Sequence, residues 1–336
     1  MDKDPVEIAL AADSKYFDGL LVTATSIALF ANPQATLSYT ILDGGLSAQE
    51  YAELKSYVMR IHTPSTFNLI KLNLGDFSVA DSYAGGKMPY ARLLLPRLLS
   101  GSEFVIYSDV DTLWLTDISQ LWSLRDRNCI YMSSPEKCAG TLDMEAKWFR
   151  DRGLAFDQAS YFCTGLSFMN LRLFRDQDIC GKCLDFLTLH GHTNCADQTA
   201  LNAILRNSAR LLPDCWQKFP RNGISGKDFS GTMILHYAGE VPWHATRQTH
   251  LLTDIQLLWF KFYARVARKS VWQSLRKHYS ATQIISGRLL FLLISTIVGR
   301  YLFCNFLRHT GRGTFDERLP AKAKKAFLQY LANGAL

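Results

Sequence analysis

The stretch FVIYSDVDTLW, residues 104–114, places an apolar run directly before two carboxylates, Asp109 and Asp111, that a single residue separates. The run Phe104–Ser108 predicts a buried strand, and carboxylates are costly to bring near a core unless something offsets their charge. In open α/β sheets, ligands bind just beyond the carboxyl ends of the strands. Residues i and i+2 of an extended chain point the same way, so both carboxylates can reach one ion there.

Hard divalent cations suit such a pair of side chains. Mg²⁺ and Mn²⁺ prefer oxygen ligands and take phosphate oxygens at their remaining positions. Asp109 and Asp111 therefore predict a metal–diphosphate site. Two solvated loop aspartates, or a helix cap before Ile118, are the alternatives that these residues alone leave open.

Strand-like and helix-like segments alternate through the first two-thirds of the chain, which predicts an α/β fold with a largely parallel sheet. The predicted strands are 6–11, 38–42, 68–72, 104–108, 130–133, 162–170 and 233–237. The predicted helices are 20–30, 48–59, 90–95, 118–124, 179–190 and 197–205. Ser47 and Glu50 have the spacing of a capping box at the start of the second helix.

The composition is that of a globular chain without a secretory signal. The chain has 336 residues, of which 48% are hydrophobic, enough for one large domain with an appendage or for two domains. The N-terminus, MDKDPVEIALAADS, has acids and a proline where a signal peptide needs a basic region and a long apolar run. We therefore expect a cytoplasmic protein whose cysteines are reduced.

One cysteine cluster has two interpretations. Cys180 and Cys183 form a C-x-x-C pair that is followed by His190, His192 and Cys195, which is compatible with a zinc site. The same segment, ICGKCLDFLTL, has apolar residues at helical spacing. The spacing favours a helix over 179–190 with both cysteines on one face as small core residues.

The positive charge is concentrated near the C-terminus. Between residues 255 and 315 the chain contains ten Lys or Arg and no Asp or Glu, interleaved with aromatic and aliphatic residues. A spanning helix needs about twenty apolar residues, whereas the uncharged run 289–299 has eleven. We expect the region 251–336 to be helical and to lie on an anionic membrane surface. A buried helical hairpin and a true span are the alternatives, and long aliphatic runs argue against nucleic acid.

Seven blocks of the sequence occur in the order typical of one enzyme family. They are IALAADSKYFDGLLVTATSI, YTILDGGLS, YARLLLPRLL, FVIYSDVDTLWLTDISQLW, TGLSFMNLRLF, ADQTALN and LHYAGEVPWH. In these blocks the chain resembles family 8 glycosyltransferases, and most of all the bacterial lipopolysaccharide galactosyl- and glucosyltransferases. The resemblance implies a GT-A fold, an α/β nucleotide-binding domain with a mixed, largely parallel sheet. It also implies hexose transfer from a UDP-sugar with retention at the anomeric carbon.

The resemblance implies a metal site and two catalytic side chains. Asp109, Asp111 and His236 match the positions that bind Mn²⁺ or Mg²⁺ in the family. Gln198 would lie beside the anomeric carbon, where its carbonyl dipole can stabilise developing positive charge. Asp197 would accept hydrogen bonds from sugar hydroxyls.

The resemblance also implies where the UDP-hexose binds. Ala11 and Asp13 would hold uracil, and Tyr16 would stack on it. Arg92 would contact phosphate or sugar, and Gly239 would permit close approach of the backbone to the diphosphate. The full set of expected donor-binding residues is Ala11, Asp13, Tyr16, Arg92, Ser108, Asp109, Val110, Thr164, Gly165 and Gly239.

The sequence departs from the family in the block GEVPWH. Many members have a phosphate-contacting lysine there, whereas this chain has Glu240 and Val241. Lys15, Lys218 and Arg247 are the alternative sources of that charge.

Two further departures concern the sugars. The family's FNAG is FCTG here, with Cys163 and Thr164. This difference leaves two alternatives for the donor sugar, galactose and glucose. The acceptor-side acid of some members has no clear match, although Pro135 and Glu136 fall near it.

These observations predict a catalytic GT-A domain over 1–250. They also predict a helical region over 251–336 that is basic and aromatic and associates with a membrane. The expected activity is that of a Mn²⁺-dependent retaining hexosyltransferase, peripheral on the inner face of the cytoplasmic membrane. It would use UDP-galactose or UDP-glucose and a lipopolysaccharide, other glycolipid or oligosaccharide acceptor. A metal-dependent nucleotide-sugar phosphohydrolase is one alternative, and an inert membrane-peripheral protein that binds sugar nucleotides is the other.

Overall fold

The computed structural model describes residues 4–73, 87–220, 232–239, 241–243, 252 and 254–294. Glu240, Arg247 and the part of the basic region beyond residue 294 lie outside the described residues.

A mixed sheet of seven strands forms the centre of the described chain. All strands, in chain order, are β1 (Val6–Ala12), β2 (Leu37–Asp43), β3 (Ser65–Lys71), β4 (Phe104–Ser108), β5 (Thr112–Trp114), β6 (Tyr131–Pro135), β7 (Phe162–Asn170), β8 (Ala209–Leu211) and β9 (Ile234–His236). The order in the sheet is β3-β2-β1-β4-β7-β6-β8, and β5 pairs separately with β9. The first four strands of this order are parallel, whereas β7 is antiparallel to both of its neighbours. This arrangement confirms the predicted α/β architecture with a largely parallel sheet.

Helices cover both faces of the sheet. They are α1 (Phe17–Phe30), α2 (Ala48–Ile61), α3 (Leu95–Leu98), α4 (Ser119–Trp122), α5 (Ala139–Asp151), α6 (Leu171–Asp176), α7 (Ile179–His190), α8 (Asp197–Leu205), α9 (Asp254–Val266), α10 (Val271–Arg276) and α11 (Ala281–Ile294). Short 3₁₀ helices span Ser14–Tyr16 and Met88–Leu94.

Most predicted elements are present, with ends that differ by a few residues. The capping box of Ser47 and Glu50 begins α2, and the cysteine segment is the helix α7. Cys183 is buried in the core, and the Cys180 thiol donates to the Leu93 carbonyl (2.7 Å). Both cysteines therefore pack as small core residues of a helix, which is the favoured of the two interpretations. The predicted helix at 90–95 is instead mostly the 3₁₀ helix. The sequence analysis does not predict β5, β8, α5 or α6. The strands β5 and β8 have three residues each, too few to show a periodicity, and tertiary pairing defines them.

Helix α1 is the core element that holds the loop after β4 in place. It is buried on nearly every side because the sheet, α2, β5 and α9 all pack around it. The hydroxyl of Thr23 donates to the carbonyl of Thr112 (2.8 Å) and lies 3.0 Å from that of Val110. The Ser26 hydroxyl accepts from Trp114 N (3.1 Å). The chain around the two carboxylates is therefore fixed by buried polar contacts.

The first C-terminal helices pack against this core. Trp259, Phe260 and Phe262 of α9 are almost fully buried and belong to the same apolar cluster as α1. Lys277 lies 2.6 Å from the buried carboxylate of Asp18 in α1. A division of the chain at residue 250 into two domains stays a prediction. Within the described ranges, no helix has the length and apolar character needed to cross a bilayer.

The packing of α9 predicts a contrast between two tryptophans. Trp259→Ala removes a buried indole and should lower the free energy of unfolding by about 3–5 kcal/mol, since Trp259 is 0% exposed. Trp272→Ala is the matched control, because Trp272 is 49% exposed and should change stability by less than about 0.5 kcal/mol. Urea unfolding followed by circular dichroism measures both. Equal effects would contradict the inclusion of α9 in the core.

Candidate active site

Asp109 and Asp111 directly follow β4, as the sequence predicts, and they lie in the tight connection between β4 and β5. The amide of Asp109 donates to the carbonyl of Gly165 in β7 (2.8 Å). The Ser108 hydroxyl lies 3.0 Å from that of Thr112 and accepts from the Trp114 indole (3.2 Å). Ser108 is fully buried and therefore supports the connection from below.

His236 reaches the carboxylates because β9 pairs with β5. The register places His236 opposite Thr112, and the amide of Tyr237 donates to the Asp111 carbonyl (2.8 Å). His236 Nε2 lies 3.0 Å from Asp111 Oδ1 and 3.8 Å from Asp109 Oδ2. A Cβ on Gly165 would stand only 2.1 Å from His236 Cε1. The ring can approach only because residue 165 has no side chain.

The three side chains fit a hard divalent cation. One ligand atom from each of Asp109, Asp111 and His236 lies within 4.8 Å of the others. Asp111 Oδ1 is buried and accepts no hydrogen bond from the described residues, although His236 Nε2 is 3.0 Å away. Neighbouring ligands of an octahedral cation, with bonds of about 2.1 Å, are separated by about 3 Å. Oxygen and imidazole donors together suit Mn²⁺ or Mg²⁺.

The ionisation of His236 is coupled to Asp111. Burial opposes protonation of the ring, but the adjacent Asp111 carboxylate outweighs it and raises the pKa of His236 well above its ordinary value. A ligating imidazole must be neutral, so a cation at Nε2 competes with that proton.

Arg92 is a buried cation between two carboxylates. It is 2% exposed, with Nη2 at 2.8 Å from Asp109 Oδ1 and Nε at 2.9 Å from Asp197 Oδ2. Nη1 donates to the Thr164 carbonyl, and the guanidinium lies over the Tyr107 ring at 4.3 Å. Burial disfavours the charge, but Asp109 and Asp197 outweigh it and raise the pKa of Arg92. The arginine therefore joins the metal-ligand candidates to the start of α8.

Asp197 and Gln198 begin α8 beside Arg92. Burial raises the pKa of Asp197 to about 7, while Arg92 acts in the opposite direction. Gln198 Oε1 accepts from the amide of Thr164 (3.0 Å), and Gln198 Nε2 donates to Glu136 Oε2 (3.3 Å). Thr164 thus contacts both Arg92 and Gln198. The structure places these predicted residues in one continuous cluster.

The remaining predicted donor-binding residues lie at the carboxyl ends of β1 and β9 and, for Val110, in the connection between β4 and β5. Asp13 follows β1 and accepts from the amide of Tyr16 (3.2 Å), and the Tyr16 ring meets Trp243 edge-on at 6.0 Å. Ala11 is buried in β1, and Val110 O accepts from Thr23. Gly239 has a φ of +72°, a conformation that favours glycine. Their contact with a nucleotide stays a prediction.

Sequence reasoning missed Gln217 and Phe219, which surround His236. Gln217 Nε2 lies 2.7 Å from His236 Nδ1, and the Phe219 ring lies 5.1 Å from the imidazole. Cys163 faces the same cluster, with its Sγ 3.3 Å from Gln217 Nε2, and burial raises the pKa of its thiol. No local pattern marks these residues, because Lys218 between them forms an isolated bridge to Leu235 and does not belong to a strand with its own periodicity.

Comparison with known proteins gives a family and a fold. The sequence profile described as Glycosyl transferase family 8 matches residues 7–247. General stress protein A of Bacillus subtilis (strain 168) is 26% identical over 265 residues, which cover 73% of this chain and 90% of that protein.

Two solved structures resemble the chain. Galactosyltransferase LgtC, in complex with donor and acceptor sugar analogues, aligns with a TM-score of 0.64 and 20% identity over 77% of this chain and 96% of LgtC. The bifunctional glycosyltransferase WbbM aligns with a TM-score of 0.66 and 16% identity over 83% of this chain. The chain spans about half of WbbM, 53% of its length. These likenesses confirm the expected GT-A fold.

The buried position of Arg92 predicts a large stability effect. Arg92→Met leaves the carboxylates of Asp109 and Asp197 without their cation and should lower the free energy of unfolding by about 3–5 kcal/mol. Arg172→Met is the control, because the Arg172 side chain is 46% exposed and should change stability by less than about 1 kcal/mol. Urea unfolding measures both. An Arg92→Met protein as stable as the control would contradict a structural role for this cation.

Proposed function

The chain belongs to glycosyl transferase family 8, and from that premise we propose that it transfers galactose or glucose from a UDP-sugar to an acceptor hydroxyl with retention of configuration. The observation that carries the proposal is the convergence of Asp109, Asp111 and His236 at one edge of the sheet. Arg92 and Gln198 lie in the same continuous cluster. Carboxylates, an imidazole, a buried guanidinium and an amide together suit a diphosphate and a sugar better than an apolar ligand.

Asp109, Asp111 and His236 would hold Mn²⁺, or Mg²⁺, against the diphosphate. When bound, the cation would act as a Lewis acid that neutralises negative charge on UDP as the leaving group. The chain contributes the rigidity of this site. Asp109 is held by Arg92 and by the carbonyl of Gly165, and the His236 ring is enclosed on several sides. Little reorganisation is then required when the ligand binds.

Asp197 is well placed to bind sugar hydroxyls. Asp197 Oδ2 is buried and accepts no hydrogen bond from the described residues, although Arg92 Nε is 2.9 Å away. A hydroxyl donor would satisfy that oxygen, and the charge of Arg92 would favour the ionised carboxylate. Arg92 would thus orient the sugar through Asp197 and through its contact with the Thr164 carbonyl.

Gln198 would stabilise the developing positive charge of the sugar. Its amide is fixed at both ends, because Oε1 accepts from Thr164 N and Nε2 donates to Glu136. A fixed carbonyl dipole stabilises an oxocarbenium-like charge without reorganising. Glu136 is itself buried, 6% exposed, and adds a carboxylate close to the position of the family's acceptor-side acid.

We further propose a glycolipid acceptor of the lipopolysaccharide type, reached at the inner face of the cytoplasmic membrane. The C-terminal helices support membrane docking because they expose apolar and basic side chains together. Trp272, Ile285 and Leu289 are 49%, 53% and 62% exposed, and Arg268 and Lys269 are exposed beside Trp272. Aromatic and aliphatic groups would enter the lipid interface while the cations meet anionic head groups.

The catalytic proposal predicts a loss of turnover in Asp111→Asn. Removal of a charged ligand should lower kcat/KM by at least about 100-fold with an unchanged circular dichroism spectrum. The measurement is UDP release from UDP-galactose and UDP-glucose in the presence of Mn²⁺, with and without lipid extract. Asp185→Asn, an exposed position on α7, is the control and should retain full activity.

The same assay separates the alternatives. UDP release that lipid acceptor stimulates supports the transferase. Release of a sugar phosphate would instead indicate a phosphohydrolase, and a folded protein without turnover would indicate a binding protein. Substantial Mn²⁺-dependent turnover in Asp111→Asn would refute the proposed metal site.

Membrane docking predicts that a second set of substitutions weakens vesicle binding, independently of turnover. The triple variant Arg268→Gln, Lys269→Gln, Trp272→Ala should bind phosphatidylglycerol-containing vesicles about tenfold or more weakly, since each cation contributes about 1 kcal/mol. The matched control, Met144→Ala, Lys147→Gln, Arg150→Gln, removes two cations and one exposed apolar side chain from α5. Vesicle flotation measures both variants. Equal binding of the two would contradict docking through α9–α11.

A further inference from the structure

A buried glutamine lies behind the metal-ligand candidates. Gln217 is 3% exposed, and its Nε2 lies 2.7 Å from His236 Nδ1, on the side of the ring opposite Asp111. The same Nε2 is 3.3 Å from Cys163 Sγ. Gln217 Oε1 is buried and has no hydrogen-bond partner among the described residues. A buried amide oxygen without a partner is costly, so this arrangement calls for an explanation.

Backbone pairing fixes Gln217 against His236. Lys218 forms a parallel bridge to Leu235, in which Lys218 N donates to Ile234 O and His236 N donates to Lys218 O, both at 2.9 Å. Gln217 and Phe219, the neighbours of Lys218, both contact the imidazole. The side chain of Gln217 is therefore held at Nδ1 by the main chain and is not a surface group that happens to lie near.

The protonation of the ring nitrogens decides how the amide must face. If His236 Nε2 is to bind a cation, its lone pair must be free and the proton of the neutral ring must be on Nδ1. An amide NH₂ at 2.7 Å from Nδ1–H would place two hydrogen-bond donors against each other. A half-turn of the amide brings Oε1 to Nδ1, where it accepts that proton, and the Cys163 thiol can then donate to Oε1. On the other side the turn breaks no hydrogen bond with a described residue, and it places Nε2 where Oε1 had been.

We propose that Gln217 is a positioning residue for the cation site: its Oε1 accepts a hydrogen bond from Nδ1–H of His236 and so presents the Nε2 lone pair to the cation beside Asp109 and Asp111. The inference rests on the cation site of the proposed function and adds the residue that selects the tautomer. Partners of this type behind a ligating histidine typically change metal affinity 10–100-fold. Gln217 itself does not touch the cation.

The test compares two substitutions that differ in one property. Gln217→Met keeps the length but removes the acceptor, and its Mn²⁺ affinity should fall about 10–100-fold. Gln217→Glu keeps the acceptor and removes the amide donor, and it should bind Mn²⁺ at least as tightly as the unsubstituted chain. Gln177→Met, at an exposed position after α6, is the control and should bind as the unsubstituted chain does. Affinity is measured from the electron paramagnetic resonance signal of free Mn²⁺ during titration of the full chain.

A second measurement reports the tautomer directly. In chain labelled with ¹⁵N-histidine and loaded with Mg²⁺, the His236 signal, assigned by its loss in His236→Asn, should show a protonated Nδ1. This spectrum needs no Gln217 variant, so it tests the proposed tautomer of His236 even if Gln217→Met does not fold. The inference would be overturned by an unprotonated Nδ1 or by an unchanged Mn²⁺ affinity of a folded Gln217→Met. It would also be overturned if Gln217→Glu bound Mn²⁺ as weakly as Gln217→Met. Failure of the unsubstituted chain to bind Mn²⁺ would instead contradict the cation site of the proposed function, and the inference with it.

Discussion

The site depends on the ion pairs that the buried guanidinium of Arg92 forms with two carboxylates. Three carboxyl groups, those of Asp109, Asp111 and Asp197, lie at the edge of an apolar sheet, where unpaired carboxylates are unstable. Arg92 contacts two of them directly and also reaches the Thr164 carbonyl and the Tyr107 ring. Its planar guanidinium directs several donors along fixed directions to different oxygen acceptors, whereas the ammonium of a lysine is a compact charge with rotatable donors. The negative charge that remains is the part that a cation would neutralise.

Strand β7 is the base on which both halves of the site are assembled. Its residues Cys163, Thr164 and Gly165 contact, in turn, the Gln217–His236 pair, the Arg92–Gln198 pair and the Asp109–His236 pair. Because β7 is antiparallel to β4, its N-terminal end meets the carboxyl end of β4, where Asp109 begins. A mixed sheet thus supplies backbone groups at a point where an all-parallel sheet would have only strand ends.

The C-terminal helices show how composition alone can mislead about location. Aromatic residues between 255 and 279 suggested a lipid-facing surface, yet Trp259, Phe260 and Phe262 are packed into the core. Their burial follows from α1, whose residues 17–29 are all buried and which needs a second cover beyond the sheet. The Tyr263 hydroxyl and Lys277 complete this packing at the Asp18 carboxylate. In the described part of the C-terminal region, the exposed large apolar side chains are Trp272, Ile285 and Leu289.

Sequence alone determined the elements with strong periodicity and the chemistry of the main site residues. Strand β4, the capping box of α2 and the helix α7 were predicted because apolar spacing and capping patterns are local properties of the chain. The grouping of Asp109 and Asp111 with His236 was predicted from the resemblance to a family. The three-residue strands β5 and β8, the contacts of Arg92 with two carboxylates and the Gln217–His236 pair were decided only by tertiary structure. Each of them joins segments far apart in sequence, and such partners are selected by packing and pairing in three dimensions, which no local pattern encodes.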